Sequence, residues 1–412
     1  MRQFSRFTSG IHYVLFLFAL SGHLAFVSET NVFAFAVDVG EAPTSSLNLT
    51  LAAIKSAEET LLVNIYEMSS PEISLALLQK IQSGVHVEII EEGNPVGGLS
   101  ASARDVVSLL SHAMSLMENG DHFYEMTHDA GGKRRFHFDH AKYMVIDNKS
   151  VLIGSENYSP TGHPKFGVLG NRGWEVLIHD KKLAHQFTQI FAADSDIRKG
   201  DLIDRAIPND SVLAFVPRNF EHEMTQSAGG EVTSYFRMDA SKATVVTSPD
   251  TSLTGLVGLL DSAKTSIDLE LLSFDSHWGG TERNSPLFDA VLSAARRGVT
   301  VRVLLNDERT FARSSSTKLT RNQKTVEALN HFATQNGVNL TGRIANIKAM
   351  KVTYIHNKGG LVDDNKTLIS SINWNENSVE NNRETAVILT SSEINAHYKY
   401  LFEKDWNASA QQ

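Results

Sequence analysis

At 412 residues the chain is long enough for two domains with cores of their own, and an apolar content of 42% fits a globular protein. A net charge of -9 disfavours a general binder of polyanions and leaves room only for a local basic cleft. The absence of cysteine excludes disulfides, thiolate metal sites and thiol catalysis.

Taken in chain order, Arg2 and Arg6 precede a short apolar run over 11–20. Two small-residue cleavage patterns follow, Ala19-Leu20-Ser21 and Ala34-Phe35-Ala36. This grammar predicts a secretory signal over 1–36, cut near Ala36 or Ser21, and hence a secreted or periplasmic protein. Gly22, His23, Ser28, Glu29 and Asn31 interrupt the stretch and make it a poor membrane span.

The rest of the chain reads twice. A helix end at 54–57 leads into a strand over 60–66, then a helix over 73–81 and a β-rich run over 84–90. The same order returns with 260–263, 265–272, 286–295 and 298–304. Each half closes on a helix with one apolar face, ending Phe191-x-x-Asp194 in the first and Phe402-x-x-Asp405 in the second. Strand-helix-strand units predict an α/β fold with largely parallel sheets. The expected domains are 37–205 and 243–412, joined by a polar connection over 206–242.

Each half also carries His-x-Lys-x-x-x-x-Asp, as His140, Lys142 and Asp147 and again as His356, Lys358 and Asp363. Ser155 and Asn157 follow the first copy at the offsets where Ser371 and Asn373 follow the second. A strand over 135–146 would turn His140 and Lys142 to one face, and a hairpin would bring Ser155 and Asn157 beside them. By chance a loose version of the motif arises in roughly one such chain in six, so one copy is weak. Two copies at matching places in two repeats are not coincidence.

Two imidazoles, two ammonium groups and two carboxamides suit phosphodiester cleavage. One neutral histidine attacks phosphorus, the other, protonated, supplies the leaving oxygen with a proton, and the remaining groups hold the non-bridging oxygens. On these motifs the chain resembles the phospholipase D superfamily, with each repeat matching one family domain. The resemblance implies two mixed or parallel sheets flanked by helices, with a metal-independent active site at their interface and no cofactor. It implies that His140 is the nucleophile and His356 the general acid. It also implies a downstream Glu orienting each histidine, which Glu384 fits well and Glu175, after a longer path, less closely. Asp147 and Asp363 are expected to stabilise turns. Gly359-Gly360 depart from the family pattern and are expected to loosen the second motif's strand, and Ser370 replaces a common Gly.

Lys133, Arg134 and Arg135 precede His140 and could meet an anionic headgroup or a nucleic-acid backbone, and Trp374 could line the substrate surface. His122, Glu125, His128 and His137 read as loop residues before they read as a metal site. The favoured function is a secreted phospholipase D acting at a phospholipid membrane surface. A nuclease is the weaker alternative, since a nucleic-acid track needs several cations per site, and a cardiolipin-synthase-like transferase is a third reading. No obligate protein partner is expected, because both motifs lie in one chain.

Overall fold

The structure, a computed structural model, describes residues 34–117, 119–206, 235–279, 283–311 and 318–410. Positions 1–33 of the expected signal lie outside the described residues. The first strand, β1 (Phe35–Ala42), already contains Ala36, so a cut there would remove two residues that pair with Ala240 and Asp239.

Two mixed sheets carry the repeat. In the first, β2 (Thr60–Ile65), β3 (His86–Glu92) and β4 (His122–Met126) run parallel, while β5 (Lys142–Ile146), β6 (Ser150–Gly154), β7 (Gly173–Ile178) and β1 continue antiparallel. In the second, β11 (Ser266–Leu271), β12 (Thr300–Leu305) and β13 (Leu340–Ile344) are parallel. They are followed across the sheet by β14 (Lys358–Val362), β15 (Lys366–Ser370), β16 (Glu384–Thr390) and β10 (Lys242–Ser248), all antiparallel. The parallel expectation therefore holds only where a helix makes the crossover; the hairpins that carry the motifs are antiparallel. Within the expected connection, β9 (Phe236–Ala240) pairs with the edge of β1; just before it, at the end of the expected first domain, β8 (Leu202–Asp204) closes the other edge of that sheet on β4.

Local signals explain the duplicated elements. Ser70 before Pro71 and Ser285 before Pro286 start the helices Pro71–Gln82 and Pro286–Arg296 alike, each serine accepting an N–H from the first turn. Asp147-Asn148 and Asp363-Asp364 all adopt φ between 50° and 54°, the paired left-handed conformation of a tight hairpin turn. These turns fix the register of β5 on β6 and of β14 on β15. The motif carboxylates add a second tie. Asp147 accepts the N–H groups of Glu58, Glu59 and Thr60, and Asp363 those of Lys264, Thr265 and Ser266. Burial pushes both carboxyls upward, but these donors outweigh it and hold each below its usual range. The expected structural role of both aspartates is what the geometry gives.

One apolar core is shared between repeats, with Tyr143, Trp174 and Phe187 from the first and Val387, Tyr398 and Phe402 from the second. Trp174 packs on Tyr398 at 4.6 Å between ring centroids. Its other neighbour corrects the expected loosening at Gly359-Gly360. All of β14 is buried and paired on both sides, and a Cβ at Gly359 would overlap the indole ring, with Cζ3 at 2.5 Å. The glycine is there so that the indole of the first repeat can lie on the strand of the second. Gly359→Ala should lower unfolding free energy by about 1–3 kcal/mol, measured by denaturant titration, because overpacking here has no free space to relax into.

Candidate active site

The two repeats hold each other through reciprocal backbone pairing beside the motifs. Arg383 donates its N–H to Phe138 and accepts that of His140; Arg172 donates to Tyr354 and accepts that of His356. The two arginines cross over as well. Arg172 is buried against Asp405 and Arg383 against Asp194, each at 2.6 Å, so the Asp that closes each repeat's last helix binds the other repeat's arginine. Each histidine is thus set by backbone from the opposite half. It lies just before its strand, and the expected strand over 135–146 is in fact regular only from Lys142 onward.

Carboxylates also arrive from across the interface. His140 Nδ1 is 2.8 Å from Glu384 Oε2, and His356 Nδ1 is 3.2 Å from Glu156 Oε2. A carboxylate on Nδ1 fixes the tautomer and leaves Nε2 for chemistry. Lys142 and Lys358 turn back so that each Nζ donates to the carbonyl of its own motif histidine. Asn157 and Asn373 each present a buried Oδ1 with no protein partner. Ser371 donates to Glu384 at 2.7 Å, and Ser155 accepts the N–H of Trp174.

Three sequence expectations need correction. Glu175 is not a histidine-orienting carboxylate of the site; it bonds Thr50 and the buried His163, which in turn supports the carbonyl of Asn157. Arg134 and Arg135 are not free for an anion, because Arg134 is paired with Glu92 and Arg135 with Asp201. Lys133 remains exposed on a surface hollow it shares with His137 and Pro249. Trp374 is buried edge-on against Phe274 at 5.0 Å, and so is core. His122 and Glu125 stand on β4 instead of in a loop, where His122 bonds Asp204 and Glu125 bonds Arg205, and among the described residues no metal-binding cluster occurs. Glu156 was missed from sequence.

Burial first, with the two lysines adding, pulls both imidazoles down to about 4 despite their carboxylates. Burial also lowers Lys142 to about 8 and pushes Lys358 well below its ordinary value. The histidines are therefore neutral at pH 7, beside lysines whose charge is costly and is relieved by an anion. A sign follows for pH. Lys142 is charged below about 8 and loses its charge above it. Tungstate, a dianion throughout, should bind more weakly as pH rises through about 8, by up to about tenfold per pH unit from Lys142, read by calorimetry. Constant affinity to pH 10 would contradict this.

A duplicated α/β fold whose two His-Lys-Asn sets converge between the repeats, with a carboxylate behind each histidine, defines a phosphodiesterase site of the phospholipase D type. The family described as cardiolipin synthase, PLD-like domain, matches residues 50–195 and 256–406, and the chain belongs to that family. Its members are phosphodiesterases and phospholipid-modifying enzymes. The chain is 26% identical over 159 residues to a mitochondrial cardiolipin hydrolase of Danio rerio, a match spanning 39% of this chain and 59% of that relative's length. Among solved structures, phosphatidylserine synthase of Haemophilus influenzae superposes with a TM-score of 0.61 at 14% identity, over 91% of this chain and 86% of the other. Polyphosphate kinase of Porphyromonas gingivalis gives 0.50 at 12% identity, over 89% and 50%. At such identities these two likenesses concern the fold.

Proposed function

We propose that the protein is an exported phosphodiesterase that hydrolyses, or transfers, the phosphatidyl group of a glycerophospholipid through a covalent phosphohistidine. His140 Nε2 attacks phosphorus while Glu384 holds Nδ1–H, and the bond to the headgroup oxygen breaks. His356 Nε2–H gives that oxygen its proton. It then takes one from water or an acceptor alcohol, whose oxygen attacks phosphorus and releases His140. Lys142, Lys358, Asn157 and Asn373 hold the non-bridging oxygens as charge builds. The anion offsets the lysine charges that depress His356, so the bound substrate favours the protonated acid.

The lipid substrate is supported by the apolar rim around the site. Tyr66 packs on His140 at 4.6 Å and accepts the N–H of exposed Val96. Tyr354 packs on His356 at 5.6 Å and carries exposed Phe311 at 4.8 Å. Thr353 donates to Gly170, which ends a loop exposing Phe166, Val168 and Leu169. Exposed apolar side chains one ring away from both histidines suit an acyl-chain surface, and the locked Arg134 and Arg135 leave little for a polyanion track. Among the described residues no helix is long and apolar enough to cross a membrane. Purified protein in chelator would be given phosphatidylglycerol, phosphatidylcholine or cardiolipin vesicles and, separately, labelled single-stranded DNA. Headgroup or phosphatidyl release without DNA cleavage is expected; DNA cleavage with inert vesicles would overturn the lipid reading.

A further inference from the structure

We infer that Glu156 is the positioning residue of His356 and has taken over, from the end of a neighbouring strand, the place that Glu384 fills in the other repeat. The two hairpins superimpose residue for residue at this point. Ser155 receives the Trp174 N–H on its hydroxyl and donates its own N–H to the Trp174 carbonyl; Ser371 does both with Thr385. Trp174 thus corresponds to Thr385, and Gly173 to Glu384. The outer strands agree, since Ala42 is level with Gly173 and Ser248 with Glu384. So does Asn171-Arg172 against Asn382-Arg383 in the sequence.

The first repeat therefore has no side chain where the second has its carboxylate. Its carboxylate comes instead from the residue after Ser155, where the second repeat has the buried apolar Ile372. The exchange is spatial as well as formal. A Cβ at Gly173 would overlap the Glu156 carboxylate and lie 2.6 Å from its Cγ, so Glu156 occupies the room a residue-173 side chain would need. The corresponding asparagines each donate to the carboxylate of their own repeat, Asn171 to Glu156 Oε2 at 2.8 Å and Asn382 to Glu384 Oε1 at 3.0 Å. The substitute is held differently in detail. Glu384 Oε2 also takes the Ser371 hydroxyl, whereas Glu156 Oε1 is buried with no protein partner, and its bond to histidine is the longer of the two. The two positions are therefore mutually exclusive ways to supply one carboxylate to the opposite repeat's histidine.

The rate measurement rests on the phosphodiesterase reading, and an NMR measurement does not. In protein with 15N-labelled histidine, Glu156→Gln should lower the titration midpoint of His356 and leave that of His140 in place, since the isosteric amide keeps the shape and removes the charge. With bis(p-nitrophenyl) phosphate the same variant should lose about 10–100-fold in kcat with little change in KM. Glu156→Ile should lose at least as much, and Glu156→Ile with Gly173→Glu, the second repeat's own pair, should return most of the rate. An unchanged His356 titration in Glu156→Gln overturns the inference. So does a double variant no faster than Glu156→Ile when both keep the parent melting temperature. A parent enzyme inert on every phosphodiester would count against the function alone, because the titration would still decide the role of Glu156.

Discussion

His140→Ala is expected to abolish turnover, with a loss on the order of 10⁴–10⁶-fold, and to leave no phospho-enzyme isolable under alkaline denaturing conditions. His356→Ala should behave differently, because its work depends on the leaving group. With an alkyl headgroup it should be nearly as slow as His140→Ala, since the departing alkoxide has no proton donor. With a p-nitrophenyl leaving group, which departs without protonation, the first step should survive. Water is then poorly activated for the second step, so the labelled adduct should accumulate. Rapid quench into alkaline SDS with radiolabelled substrate, which preserves the acid-labile P–N bond, separates the outcomes: adduct in His140→Ala but not in His356→Ala would reverse the two roles. The asymmetry is informative because both imidazoles sit near the same depressed value and differ mainly in which carboxylate holds them.

Asp405→Ala is expected to cost about 3–5 kcal/mol of stability, and Asp194→Ala less. Asp405→Ala leaves the Arg172 guanidinium buried beneath the interface with no carboxylate bonded to it, whereas Asp194→Ala leaves Arg383 its second partner, the more exposed Asp250 at 2.8 Å. The same arginines carry the backbone bonds that fix His356 and His140. Activity should therefore fall in the folded fraction as well, more than the unfolded population explains. Denaturant titration and kcat at a temperature where the variant is fully folded would check both halves of the expectation. A loss of stability with unchanged kcat would mean that the backbone pairing stands without the ion pairs.

Much of this was legible from residue order. The duplication, the hairpins and the pairing of His140, Lys142 and Asn157 with His356, Lys358 and Asn373 follow from repeated spacing, because a hairpin's register is set locally by its turn. Even the relocated carboxylate left a trace, since aligning Asn171-Arg172 with Asn382-Arg383 puts Gly173, not Glu175, opposite Glu384. Choosing the nearest Glu instead of the aligned position gave the wrong residue. The basic run Lys133-Arg134-Arg135 misled for another reason: a cation's partner, here Glu92 or Asp201, lies far along the chain and has no local signature.

The sequence by itself determined that two copies of one α/β unit exist and that each brings a histidine, a lysine and an asparagine to a hairpin. Tertiary structure alone decided how they serve each other. The carboxylates behind the histidines, the aspartates on the arginines and the indole on Gly359 all cross from one repeat to the other. Such contacts depend on how two faces meet. Strand period and turn chemistry act over a few residues and do not encode that meeting.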